Sequence, residues 1–348
     1  MVTIISIASE LGYLSLPDNI LIDVDQLKSY PDEQTEPEQY LSVTYSMPRW
    51  LVHMWLEAYD YDTVHHMCAA MLQERPTAIR VNCSAIMTGQ LRAELEEAGV
   101  RVAATQYPDA LLISGYDHLG SLPAFVRGDF YVQDLSAMQA IHAAQIQKGW
   151  NIIDVCAAPG GKAIHAAQLM EGTGHVQARD LTEYKVDLIL DNIDRCHVEN
   201  VSAKVWDATV PDEGANGTAD LVIADLPCSG LGVLHGKPDI KYRMSQEQTQ
   251  ELAQLQRQIL AVVQAYVRPG GRLVYSTCTV NRAENEDNVA WFTENYPFVL
   301  ESLDPYLCEE LHSETTAQGY LQLLPGVHKT DGFFLARLRK KEETEWNN

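Results

Sequence analysis

The chain has 348 residues, 46% of them hydrophobic, which is enough for two domains and a large core. Its formal charge of -23, from 48 acidic against 25 basic side chains, argues against a uniformly basic surface, so any contact with nucleic acid must rest on local clusters of cations. No apolar run is long enough to span a bilayer, and the start, Met1 to Ile7, lacks the basic flank of a signal peptide. The seven cysteines are odd in number, with no CxxC pair and no Cys/His metal spacing, so the sequence reads as a reduced, cytoplasmic chain with free thiols and no metal.

Residues 1–39 read as an N-terminal tail and acidic linker, because Ser29 to Gln39 is rich in proline and acids. Residues 40–127 read as a small α+β unit in the order helix, helix, strand, helix, strand, strand. Trp50, Leu51, Val52, Trp55 and Leu56 belong to its first helix, and Ala78 to Asn82 alternates as a half-buried strand does. Leu91, Leu95 and Ala98 share a helical face that Gly99 ends.

From residue 128 to 348 strands alternate with helices, the pattern of an α/β domain with a mainly parallel sheet. Strands are expected at 151–157, 175–180, 201–207, 219–226 and 272–276, with a last one at 333–338 in a hairpin. A helix is expected at 161–170. Ser245 to Gln248 has capping-box spacing, and Leu252, Leu255, Ile259, Val262 and Tyr266 form the apolar stripe behind it. Pro269-Gly270-Gly271 reads as that helix's end, and Asn281 to Glu284 as another helix start.

Ligands bind an open parallel sheet at the carboxyl ends of its strands, where the strand order switches. The loop after the first of these strands is Cys156-Ala157-Ala158-Pro159-Gly160-Gly161-Lys162. Its two glycines let the backbone approach a ligand at a helix start. It is not a P-loop, since Cys156 and Ala163 stand where glycine and Ser/Thr are needed, and it is not GxGxxG. Asp180, Asp207 and Asp225 stand at or near the ends of successive strands. Singly each could be a cap or a solvated acid. Together, beside this loop, they suggest one nucleoside crevice.

Two cysteines, Cys228 in Leu226-Pro-Cys-Ser-Gly230 and Cys278 in Ser276-Thr-Cys-Thr279, each follow an apolar strand. A thiolate is the best side-chain nucleophile for attack on a pyrimidine C6, provided that the site lowers its pKa. Amides of a helix following Cys278 would favour the anion there. Cys68, Cys83, Cys196 and Cys308 read as ordinary inert thiols. The basic residues Lys237, Lys241 and Arg243, and those of Arg337 to Lys341, read from charge alone as solvated side chains.

Asp154 to Lys162, Asp225 to Gly230, Ser276 to Thr279 and His328 to Phe334 resemble, in order, the motifs of the Nop2/Sun family of RNA cytosine-C5 methyltransferases. Gly128 to Ser136 resembles the entry to their catalytic domain, and Tyr45 to Val52 with Arg80 to Asn82 resembles the front of the bacterial small-subunit ribosomal RNA members. Those members usually carry a NusB-like helical domain ahead of this point, and here most of it is lacking. The resemblance covers residues 40–340. It implies a Rossmann-like, S-adenosylmethionine-dependent methyltransferase fold with a mainly parallel seven-stranded sheet, preceded by an RRM-like α+β domain that grips RNA. It implies Cys278 as nucleophile, Cys228 as the group assisting product release, and Asp225 and Lys162 at the cytosine. Cys156 to Lys162 with Asp180, Asp207 and Asp225 would surround the methyl donor. The substrate implied is an unpaired or flipped cytosine of 16S ribosomal RNA, met by a cytoplasmic monomer. Lys237, Lys241 and Arg243, directly after the Pro-Cys loop, would then lie near the bound strand. The competing readings are a tRNA enzyme, a DNA cytosine-C5 methyltransferase with Cys228 attacking, and a non-catalytic RNA-binding assembly factor.

Overall fold

The structure, a computed structural model, describes residues 31–342, so the expected tail at 1–30 lies outside the described residues. The linker expected up to residue 39 is shorter than its composition suggests. A helix, α1, already runs over Pro37–Thr44, with Pro37 in the first turn, where a missing N–H costs nothing. Helices α2 (Arg49–Ala58) and α3 (Tyr61–Ala70) follow, so three helices rather than two precede the first strand.

The small sheet comprises β1 (Thr77–Val81), β2 (Arg101–Ala104), β3 (Ala110–Ser114) and β4 (Phe130–Val132) in the order β2-β3-β1-β4, all antiparallel. Strand β4 lies past residue 127, where the sequence suggested a boundary, and completes this sheet by pairing with β1. Helix α4 (Thr88–Glu97) covers it with Leu91 and Leu95, which pack among Ile79, Val81, Ile113 and Phe130. Helices α1–α3 do not join this core. Their Leu41, Leu51, Val52, Trp55, Val64 and Met67 pack on Leu231, Leu234, Val280 and Leu324 from later loops, and Trp55 Nε1 donates to Val280 O at 3.1 Å.

The large sheet takes β5 (Asn151–Asp154), β6 (His175–Asp180), β7 (Val201–Val205), β8 (Ala219–Asp225) and β9 (Val267–Thr277), parallel and in the order β9-β8-β5-β6-β7. Strand β12 (Phe333–Lys340) runs antiparallel beside β9, followed by β10 (Phe298–Leu300). The expected seven strands form this path, and β11 (Tyr320–Leu323) adds an eighth by making the hairpin with β12. Both faces are covered, as alternation along the strands requires. Ile152, Leu221 and Ile223 face α5 (Leu135–Ala144) and α6 (Gly161–Leu169), while Ile153, Val222 and Ala224 face α8 (Gln246–Val263) and α9 (Glu286–Asn295). Helix α6 presents Ala163, Ala166 and Ala167 to the sheet, and these small side chains let it lie close. Helix α7 (Glu183–Arg195) adds Ile189 to the same face.

Local readings shift in three places. Ser245 does cap α8 through a capping box, but its buried face is Ala253, Gln256, Ile259, Leu260 and Val263, rotated by about one residue from the expected stripe and sharing Ile259 with it. That face carries Gln256 because the glutamine has hydrogen-bond partners inside. Pro269 to Gly271 falls within β9 rather than at a helix end. Helix α9 starts at Glu286, and Asn281 to Glu284 forms a buried turn before it. No helix among the described residues is long and apolar enough to cross a membrane.

Candidate active site

Strand β5 lies between β8 and β6, so the sheet order switches beside it, and the crevice at its carboxyl end is where a ligand is expected. The loop Cys156 to Gly161 leaves β5 there. Ala157 N donates to Arg179 O on β6 at 2.8 Å, and Ala158 N donates to the Asp180 carboxylate at 3.0 Å. Gly160 has φ +105°, a left-handed conformation that favours glycine at the start of α6. A Cβ on Gly161 would stand 3.0 Å from the Tyr131 ring. The backbone is thereby pressed against the mouth of a cavity of about 390 Å³, lined by Cys156 to Pro159, Gly161, Lys162, Asp154, Asp225 and Cys278.

Strands β8 and β9 explain why the two cysteines meet. They are parallel neighbours with Asp225 opposite Ser276, so residues just past each end emerge side by side. Cys228 Sγ and Cys278 Sγ lie 3.3 Å apart. The loops carrying them are stitched together: Gly232 N donates to Cys278 O at 3.1 Å, and Gly332 N to Gly232 O at 2.9 Å. A Cβ on Gly232 would collide with Gly332 O at 2.0 Å, so only glycine permits this approach of the 328–334 segment.

The pair is electrostatically unequal. Cys278 is held below the ordinary thiol range, first by the hydrogen bond from Cys228 and then by the Lys162 and Lys237 ammonium groups, against burial and the Asp225 charge. Cys228 is driven well above that range by donating the shared hydrogen bond, by burial and by the charge of Cys278. The helix amides expected to favour the Cys278 anion are not responsible, because α9 begins only at Glu286.

Lys162 Nζ donates to Asp225 Oδ2 at 2.7 Å, and Ser276 Oγ to Asp225 Oδ1 at 2.6 Å. Burial works against the Lys162 ammonium, but the Asp225 and Asp154 carboxylates outweigh it and hold its pKa above the ordinary lysine range. Asp180, at the end of β6, is only 4% exposed and also pairs with Lys185 at 2.9 Å. It stands behind the loop rather than on the cavity wall. Asp207 is exposed past the end of β7, and its carboxylate accepts from Thr209 N and Oγ1, the hydroxyl first among the causes that lower its pKa. It does not line the cavity.

Two acids escaped the sequence reading. Asp154, 1% exposed at the floor, has a carboxyl pushed up to about 8, first by burial and then by the Asp225 charge. Its place at a strand end and its position at the head of the Asp154 to Lys162 motif were the signals available. Glu284 is fully buried and accepts from Ser229 N (2.9 Å), Ser229 Oγ (2.5 Å), Gln256 Nε2 (3.0 Å) and Asn281 Nδ2 (2.9 Å). Ser229 Oγ also meets Thr279 Oγ1 at 2.7 Å. Through Ser229 and Thr279, each next to a cysteine, Glu284 fixes both thiol loops.

The expected cations divide. Lys237 is exposed at the cavity, and Arg243 is exposed with Asp239 at 3.3 Å. Lys241 is 5% exposed, which removes it from any role on a bound strand. Of the stretch 337–341, Arg337 and Arg339 pair with Glu301, and Lys340 donates to Gln264 O and Val267 O. Strand pairing folds these residues into the sheet rather than leaving them solvated.

The cavity fits a cationic nucleoside donor. Asp134, Asp154, Asp225 and Asp331 line it, the backbone loop admits a close ligand, and neither Asp154 oxygen makes a hydrogen bond among the described residues. Comparison with known proteins agrees. The profile of the 16S rRNA methyltransferase RsmB/F family matches residues 141–339, and that of an RsmF/B-like ferredoxin-like domain matches residues 47–117. A probable ribosomal RNA small subunit methyltransferase B of Bacillus subtilis is 32% identical over 345 residues, 98% of this chain and 77% of the relative. A ribosomal RNA small subunit methyltransferase F of Cronobacter sakazakii is 33% identical, over 77% of this chain and 58% of the relative. The crystal structure of PH0851 superposes with a TM-score of 0.81 at 30% identity, covering 90% of this chain and 70% of that one. On this fold, this site and these matches, the chain belongs to the RsmB/F family of methyltransferases.

Proposed function

We propose that this chain methylates C5 of an unpaired cytosine in small-subunit ribosomal RNA, in the cytoplasm, through a covalent bond between Cys278 and C6 of the base. The observation that carries this reading is the pair of thiols at 3.3 Å, one depressed and one raised in pKa, beside the Lys162–Asp225 pair. S-adenosylmethionine, when bound, supplies a methyl group on a positively charged sulfur. Cys156 to Gly161 and Asp154 are the groups that would hold it, with Asp180 steadying the loop from behind through Ala158 N.

The chain's own residues do the rest. The Cys278 thiolate adds to C6, forming the S–C6 bond and pushing electron density to C5. Lys162 and Asp225 bond the cytosine edge: the Lys162 ammonium meets the negative charge gained at N3 as C5 becomes nucleophilic, and Asp225 orients the base by accepting from its amino group and from N3 once that atom is protonated. After methyl transfer water admitted by the cavity takes the C5 proton, the electrons of that bond restore the C5–C6 double bond, the S–C6 pair goes to sulfur and Cys278 returns as a thiolate. Cys228 assists that elimination from its position beside Cys278. The cytosine must leave its stack to reach a thiol this deeply set. The small sheet and Lys237 with Arg243 supply RNA contacts, which is how so acidic a chain holds a polyanion.

The test is to incubate the chain with unmodified 16S ribosomal RNA and methyl-labelled S-adenosylmethionine and then digest the RNA to nucleosides. The reading expects the label in 5-methylcytidine. Label in any other nucleoside, or none in RNA while the donor binds, contradicts it.

A further inference from the structure

A second cavity, of about 540 Å³, lies away from the thiols, between the small sheet and helices α5 and α6. Asp109, just before β3, His142 on α5 and His165 on α6 come together on its wall. One ligand atom from each lies within 4.8 Å of the other two. His142 Nε2 is 3.6 Å and His165 Nε2 3.8 Å from Asp109 Oδ2. These distances are too long for hydrogen bonds. They are close to the roughly 3.4 Å that separates ligand atoms held about 2.1 Å from a tetrahedral ion.

Four polar atoms of this cluster make no hydrogen bonds among the described residues. His165 is 1% exposed, yet neither of its ring nitrogens has a hydrogen-bond partner among the described residues, and the same holds for His142 Nε2 and Asp109 Oδ1. Buried polar atoms are seldom left so, and several that converge on one point call for a shared partner. Two imidazoles and a carboxylate that converge on one point without partners of their own are what a metal requires. Nearby Arg80 does not serve as the partner, since its guanidinium bonds Gln133, Gln168 and Gly161 O. Its charge also disfavours a loosely held hard cation. Two imidazoles and one carboxylate suit a transition dication better than calcium or magnesium.

We propose that Asp109, His142 and His165 form a binding site for a divalent transition metal, zinc fitting best, that ties the small sheet to α5 and α6. The fourth position opens to the cavity, where water completes the shell. Because α6 also carries Lys162 in its first turn, the ion would stiffen the helix that presents this lysine. No Cys/His spacing signals this site, because the three ligands come from separate elements.

The experiment uses the full chain with Cys228→Ser and Cys278→Ser, which removes the thiol pair as a competing zinc ligand. After stripping with a chelator, Zn²⁺ is titrated against a chromophoric chelator and the melting temperature is followed. One equivalent should bind and raise the melting temperature. Asp109→Asn and His142→Ala should each weaken binding at least about tenfold, the loss seen when even a group that only supports a ligand is changed. No saturable binding at micromolar Zn²⁺, or equal affinity in both variants, overturns the proposal and leaves water as the groups' partner. Should a variant fail to fold by far-ultraviolet circular dichroism, the Co²⁺ form of the parent decides. Tetrahedral visible bands with shifted proton resonances from two imidazoles support the site, and an octahedral spectrum without them overturns it.

Discussion

Removing the Cys228 thiol tests the electrostatic inequality on which the division of roles rests. The two thiols share a hydrogen bond at 3.3 Å; with Cys278 as the ionised partner Cys228 is its donor, and this bond is the largest influence lowering the Cys278 pKa. A hydrogen bond to a charged acceptor contributes about 1.5–3 kcal/mol. At about 1.4 kcal/mol per unit, Cys228→Ala should raise the Cys278 pKa by about one to two units. Where the pKa exceeds the working pH, that is a loss of about ten- to a hundredfold in thiolate. The assay is the pH dependence of alkylation by iodoacetamide, read at the Cys278 peptide by mass spectrometry, since Cys83 is exposed and reacts as well. The midpoint, not the rate, is the quantity to compare, because a more basic thiolate is intrinsically more nucleophilic and offsets part of the loss. Cys228→Ser keeps a donor and should move the midpoint less. A midpoint that stays put or falls in Cys228→Ala would refute the assignment of Cys228 as the proton donor in the pair.

Other consequences follow from the acids and the cations. Asp180→Asn should weaken S-adenosylmethionine binding at least about tenfold by calorimetry, because the charged acceptor that holds Ala158 N and so sets the donor loop would be lost; unchanged affinity would show that the loop keeps its shape without that charge. The Asp154 carboxyl, raised to about 8 from 3.8, holds a proton in the folded chain that the unfolded chain releases. Its contribution to stability is therefore complete below about pH 4 and is lost as pH rises toward 8. Asp154→Asn should remove that loss, making the variant more stable than the parent by at least about 1 kcal/mol at pH 8.5 and little different at pH 4, as urea unfolding would show. Replacing Lys237 and Arg243 by alanine should flatten the salt dependence of RNA binding by about one to two units, with donor binding unmoved. An identical slope would remove both as phosphate contacts.

The sheet and the site were legible to different depths. Parallel strands announce themselves as apolar runs, and each of those expected appears within a few residues of its place. Asp225 and the two cysteines were marked by their positions after such runs, but their meeting depends on the register of β8 against β9, which no local pattern encodes. Lys241 misled because its neighbours Tyr242 and Arg243 are exposed, while its own side chain turns inward in a short helical turn. Asp207 misled because a carboxylate at a strand end serves equally well to bond the next turn, as it does here through Thr209. Glu284 was invisible as an acid within a supposed helix start. Its importance arises only where Ser229, Gln256 and Asn281 converge on it. Helices α1–α3 read as part of a small domain, yet their apolar stripes find partners in the loops beside the thiols.

The most direct test of the account is to identify the sulfur that bonds the base. Cys228→Ala, incubated with substrate RNA and S-adenosylmethionine, should retain a protein–RNA adduct through denaturing electrophoresis, because elimination is impaired while addition still occurs. Digestion and mass spectrometry should then place the nucleotide on the peptide containing Cys278, and Cys278→Ala should give no adduct at all. A nucleotide found on Cys228 when Cys278 is replaced, with no adduct in Cys228→Ala, would reverse the roles and contradict the account.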